Sequence, residues 1–118
     1  MNPDSRRVLV VAHTARRDAR ELSRALVGRL HDHGIAVRML AQEAADIGLD
    51  GSSPLLELVD ATASAGRDCE LVVVVGGDGS ILRAAELAHD DGAPVLGVNI
   101  GLSGSATGVE FNRYKITR

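Results

Sequence analysis

Between Leu71 and Arg83 the chain reads Leu-Val-Val-Val-Val-Gly-Gly-Asp-Gly-Ser-Ile-Leu-Arg. An uninterrupted apolar run of this kind suits a strand buried on both faces of a parallel sheet. It passes directly into glycines, which reach positive φ at low cost and let backbone amides come close to a ligand. A helix signal follows at once, over Ser80 to His89. Strand, glycine turn and helix in so short a stretch mark a βα unit, and the rest of the chain has to be compatible with it.

The other segments agree. Val8 to Val11 is a second continuous apolar run. Thr14 can cap a helix over residues 16–32, with Ala19, Leu22, Leu26 and Leu30 on one face. Gly34 fits the left-handed position after that helix. Ala36 to Leu40 reads as a strand nearer the sheet edge, and residues 41–53, with Gly48, Gly51, Ser52 and Ser53, as a loop. Pro54 suits the first turn of a helix carrying Leu55, Leu58, Val59 and Ala63, closed by Gly66. Pro94 to Val98 supplies a further strand. Alternation at this spacing predicts an α/β fold: a doubly wound, mainly parallel sheet with helices on both faces. Ligands of such sheets lie beyond the carboxyl ends of the strands. The glycine turn, the Asn99 turn and the His13-Thr14 end of the first strand all fall on that edge.

An aspartate inside the glycine turn repels phosphate, so Asp78 does not read as a phosphate binder. It reads as a base taking a proton from a hydroxyl about to be phosphorylated, or as a partner for a metal-bound nucleotide. Helix N–H groups behind it are a ready site for phosphate oxygens. The P-loop pattern is absent, and the Gly-x-Gly-x-x-Gly pattern would need glycine where Leu82 stands. His31 and His33 are two apart and do not share a helix face, so helix-dipole contact explains them better than metal binding. Asp90-Asp91 read as a solvated turn.

At 118 residues the chain is long enough for one core. A net charge of −3 lacks the clustered basic face of a nucleic-acid binder, so no nucleic-acid partner is expected. One Phe, one Tyr and no Trp leave the core to aliphatic residues. The single cysteine, Cys69, excludes an intramolecular disulfide, and it reads as a small buried residue. No apolar run approaches the ~20 residues that span a bilayer, so no membrane partner is expected. The apolar run near the amino terminus is too short for a signal peptide. A cytoplasmic protein is the expectation.

Gly76-Gly77-Asp78-Gly79-Ser80, with its valine strand before and Ile-Leu-Arg-Ala-Ala after, resembles the Gly-Gly-Asp-Gly-Thr signature of NAD kinases. Ser80 stands for the usual threonine and keeps the hydroxyl. The likeness extends to Pro94-Val95-Leu96-Gly97-Val98-Asn99-Ile100-Gly101 and to the His13-Thr14 ending, which look like actinobacterial members. It implies ATP and NAD as small-molecule partners, with Mg²⁺ or another divalent cation bridging the ATP phosphates and no metal held by the protein itself. It implies that Asp78 deprotonates the 2′-hydroxyl of NAD's adenosine ribose. Gly76, Gly77 and Gly79 would shape the phosphate cradle, Ser80 would assist through its hydroxyl, and Arg83 and Asn99 would contact the nucleotide.

The likeness covers residues 1–101, taken as the nucleotide-binding domain; residues 102–118 are expected to be a divergent, flexible tail. Leu102 and Ser105 stand where the family carries arginine and phenylalanine. NAD kinases also add a second, mostly β domain that grips NAD, so this stretch alone is expected to be weakly active or inactive. Apolar surface that such a domain would cover favours self-association, and a homo-oligomer is expected. Two alternatives stand beside the kinase: a non-catalytic nucleotide-binding module that needs a partner chain, and a diacylglycerol-type lipid kinase sharing the Gly-Gly-Asp-Gly turn. The second would want a basic or apolar membrane-facing patch, which the composition does not offer.

Overall fold

A computed structural model describes residues 6–51, 53–88, 93–100 and 109–114. Its elements in chain order are β1 (Arg7–Ala12), α1 (Arg17–Asp32), β2 (Ala36–Leu40), α2 (Ala41–Asp46), β3 (Leu56–Val59), β4 (Leu71–Gly76), α3 (Asp78–Leu87), β5 (Val95–Ile100) and β6 (Val109–Tyr114). The six strands form one sheet in the order β3-β2-β1-β4-β5-β6. β1 to β5 run parallel, and β6 pairs antiparallel with β5. The sheet is α/β and mainly parallel, as the alternation of elements implied.

Alternate residues of the apolar strands serve the two faces. Val8, Val10 and Ala12 of β1 and Val73 and Val75 of β4 join Ala19 and Val27 of α1 and Ala44 of α2 in one core. Leu9, Val11, Val72 and Val74 join Ala84 and Leu87 of α3, with Ala65 and Cys69, in the other. Burial on both faces explains why these strands show no polar alternation. α1 and α2 therefore cover one face and α3 the other, the doubly wound arrangement.

Two expectations fail in the same place. Residues 41–53 were expected to be a loop, yet Ala41–Asp46 form α2. Ala, Gln and Glu are good helix formers, and the glycines that suggested a loop act only afterwards, Gly48 at φ 78°. The helix expected after Pro54 is instead strand β3, paired with β2 from Val37↔Leu56 to Leu40↔Val59. A stretch this short fits both apolar periods, and the open edge of β2 decides between them. Gly66 closes no helix; its N–H bonds the Leu87 carbonyl at 3.0 Å, tying the β3–β4 connection to the end of α3.

Smaller differences occur at α3, which starts at Asp78 rather than Ser80 and ends at Leu87 rather than His89. Within the stretch 102–118, expected as a flexible tail, Val109–Tyr114 form β6 and extend the sheet. The Asp90-Asp91 turn and Leu102 to Ser105 lie outside the described residues. His31 Nε2 lies 3.0 Å from the Leu55 carbonyl, and His33 Nδ1 lies 2.8 Å from that of Arg29.

Candidate functional site

Successive strands step from β1 outwards to β3, and the chain then returns to place β4 on the other side of β1. Between β1 and β4 the loops leave in opposite directions, and a crevice opens at the carboxyl edge. β1 delivers His13 to that edge, where its backbone N–H donates to the Val75 carbonyl at 2.9 Å. β4 delivers the glycine turn. The resulting cleft, about 300 Å³, is lined by Val11, Ala12, His13, Gly77, Ser80 and Arg83. A larger cavity of about 490 Å³ lies at the opposite, amino ends of the strands, beside Val8, Leu71 and Pro94. Neither a glycine turn nor a helix start reaches it.

The turn depends on Gly76 for its shape. Gly76 has φ 158°, and a Cβ there would lie 2.7 Å from Ser80 Oγ and 2.8 Å from His13 Cβ. Any side chain would separate the end of β1 from the start of α3. Gly77 is different: it is the N-cap of α3, at φ −99°, and a Cβ would meet nothing within 4 Å. A glycine N-cap has no side chain to satisfy the first-turn N–H groups; the Ser80 N–H turns back to the Gly77 carbonyl at 3.1 Å, and a helix start of this kind suits an anion.

The sequence-predicted site residues converge here. Gly77, Ser80 and Arg83 line the cleft, and Gly76 lies beside Ser80 and His13, too close to them for a Cβ. Asp78 and Gly79 open α3 at the same edge. Asn99 stands beside Gly76 in the β4–β5 register, which puts its backbone next to the turn. Asn99 is a strand residue rather than part of a turn.

One buried charge at the site gave no sequence signal. Glu43, in the first turn of α2, is 3% exposed. Its Oε1 accepts the backbone N–H of Ala12 at 2.9 Å. Its Oε2 pairs with Arg83 Nη1 at 2.5 Å, a charge-to-charge contact. Burial raises the Glu43 pKa above its ordinary value; the Ala12 N–H and Arg83 oppose that without cancelling it. A glutamate in a stretch read as a loop has no period to betray it. Only the placement of α2 at the carboxyl edge brings it to the cleft.

Residues 8–117 match the model of the ATP-NAD kinase N-terminal domain. The chain belongs to the NAD kinase family. It is 48% identical over 112 residues to an NAD kinase of Mycolicibacterium paratuberculosis, covering 88% of this chain and 36% of that protein. The NAD kinase of Mycobacterium leprae is 47% identical over 107 residues, 84% of this chain and 34% of its own length. That of Thermobifida fusca is 46% identical over 98 residues, 82% and 30%. The chain thus spans about a third of the length of the curated relatives it matches. The match reaches past residue 101 to residue 117 and so takes in β6. Among the described residues no helix is long and apolar enough to cross a membrane, and no group of three His, Cys, Asp or Glu could hold a metal ion.

Proposed function

We propose that this domain supplies the ATP-binding half of an NAD kinase, which transfers the γ-phosphoryl of ATP to the 2′-hydroxyl of NAD's adenosine ribose. The observation that carries the reading is the Gly76–Ser80 turn at the crossover between β1 and β4, with a helix start behind it and a cleft in front. In the transfer, the 2′-oxygen bonds to the γ-phosphorus while the bond to the bridging oxygen breaks. ADP leaves, and the hydroxyl proton passes to Asp78. The divalent cation enters as part of the substrate, on the ATP phosphates, as Mg²⁺ ordinarily does.

Gly76, Gly77 and Gly79 allow the backbone to approach the phosphates, and Ser80 adds a hydroxyl. Arg83 adds a cation at the cleft wall, and Asn99 marks the β5 side of the nucleotide. Catalysis by positioning requires both substrates in line within a few ångströms, so a domain holding one of them binds better than it turns over. We place the enzyme in the cytoplasm as a homo-oligomer; light scattering of the purified chain reads the assembly state.

Incubation with NAD, ATP and Mg²⁺, followed by an assay for NADP, tests the reading beside Asp78→Asn. NADP from the wild type that disappears in the variant supports both the activity and the base. Full turnover by the variant would remove Asp78 from the mechanism. ATP binding without NADP from either chain would favour a second reading, a nucleotide-binding module that depends on a partner chain.

A further inference from the structure

We infer that Glu43 is a positioning residue, which holds the Arg83 guanidinium at the cleft so that it grips the polyphosphate of a nucleotide bound at the glycine turn. The inference rests on the nucleotide reading above and adds a residue from a fourth element, α2, to a site otherwise built from β1, β4 and α3.

The geometry begins at the end of β1. β2 pairs with β1 only as far as Val10↔Met39, so on that side Ala12 has no strand carbonyl for its N–H. Glu43 Oε1 takes that place at 2.9 Å. This anchor fixes the carboxylate, and its second oxygen then stands 2.5 Å from Arg83 Nη1. The two partners differ in exposure: the Glu43 side chain is 4% exposed and that of Arg83 48%. A guanidinium carries five donors in a rigid fork. One end of this fork faces a buried anion, and the same residue lines the cleft with Gly77 and Ser80. Such a fork suits phosphate oxygens better than a freely rotating ammonium would.

Stability alone is a poor reason for this carboxylate. Burial works against its ionised form more strongly than Ala12 and Arg83 favour it, so keeping a carboxylate here carries a cost. Charged groups held against the interest of stability cluster at functional sites. Glu43→Gln is the informative change, because the amide oxygen can still accept from Ala12 while the amide N–H₂ group repels the guanidinium.

Titration calorimetry of the chain with Mg·ATP, and separately with adenosine, would be run on wild type, Arg83→Met, Glu43→Gln and the double variant. Loss of one charge-assisted phosphate contact predicts about tenfold weaker ATP binding for Arg83→Met, with adenosine unchanged. Glu43→Gln should weaken ATP at least threefold in the wild-type background and not at all in the Arg83→Met background. Equal effects in both backgrounds, an equal effect on adenosine, or a Glu43→Gln chain that does not fold would each show a structural role and overturn the inference. Wild-type binding of ATP that Arg83→Met leaves unchanged would also overturn it, while sparing the nucleotide reading. Failure of the wild type to bind ATP would overturn both.

Discussion

Gly76→Ala should damage the fold, whereas the neighbouring Gly77→Ala should leave it standing and damage only ligand binding. At Gly76 two costs combine. The backbone sits at φ 158°, in a region that residues with a Cβ rarely adopt, and holding one there costs about 1–3 kcal/mol. The new methyl would also lie 2.7 Å from Ser80 Oγ and 2.8 Å from His13 Cβ. Real Cβ contacts do not come that close, so the ends of β1 and α3 would have to separate. Overpacking of this kind adds about 1–3 kcal/mol. The total, about 2–6 kcal/mol, is a large share of the 5–15 kcal/mol that holds a typical domain together.

Gly77 has neither problem. Its φ of −99° is ordinary, and the added methyl would meet nothing within 4 Å. The loss should stay under about 1 kcal/mol, the usual penalty for alanine at an N-cap. Thermal unfolding followed by far-ultraviolet circular dichroism measures the difference. For a chain of this size, about 4 °C of midpoint per kcal/mol puts Gly76→Ala about 8–24 °C below wild type and Gly77→Ala within about 4 °C of it. Calorimetry with ATP should then show weaker binding by Gly77→Ala, because the methyl stands at the cleft wall. A Gly76→Ala midpoint within about 4 °C of wild type would refute the claim that this turn is shaped by a glycine requirement.

Three further outcomes are expected. Arg38, 7% exposed, donates to Glu57 Oε1 at 2.9 Å and to the Ala65 and Arg67 carbonyls at 2.8 and 2.6 Å; Arg38→Met leaves those acceptors without their donor and should lose about 2–4 kcal/mol by denaturant titration, and a loss under about 1 kcal/mol would show that solvent replaces the guanidinium. Asp46 is held below its ordinary pKa of 3.8, first by the Thr14 hydroxyl and then by Gln42, so its contribution is present above that pH and disappears as acid protonates the folded state; the stability gap between wild type and Thr14→Val should be constant near neutrality and close below about pH 4. Glu43 runs the other way: its folded pKa lies above 4.5, so wild type should match Glu43→Gln best in acid and fall behind it as pH rises, and a wild type that gains on the variant with rising pH would show the Arg83 pair outweighing burial.

The strands were legible where burial on both faces left only one reading. Val8 to Val11 and Leu71 to Val75 are short, apolar and rich in β-branched valine, which favours interior strands over buried helix, and the glycines behind the second run announced the turn. The helix α1 was legible because its length allows the apolar period to declare itself. β3 was not, since four residues that satisfy both periods acquire a conformation only from the edge of β2 on which they land. β6 shows a different omission. Val109-Glu110-Phe111-Asn112 alternates as an antiparallel strand should, but so short an alternation becomes a strand only through the β5 edge with which it pairs.

The misreading of residues 41–53 and the missed Glu43 have one cause. Local signals there pointed to a loop, and a loop glutamate is by default a solvated charge. Folding places the first turn of α2 against the end of β1, where the ladder with β2 has stopped and one N–H is left over. The carboxylate that fills this gap is thereby buried, and a buried carboxylate draws a cation from the helix across the cleft. Neither residue carries that information alone: Arg83 read as a possible ligand contact and Glu43 as nothing in particular. Their connection is a property of the strand order, because only the β2-β1-β4 neighbourhood puts the start of α2 and the start of α3 on either side of one strand end. A chain with the same glycine turn but another strand order would keep the phosphate cradle and lose the support for its arginine.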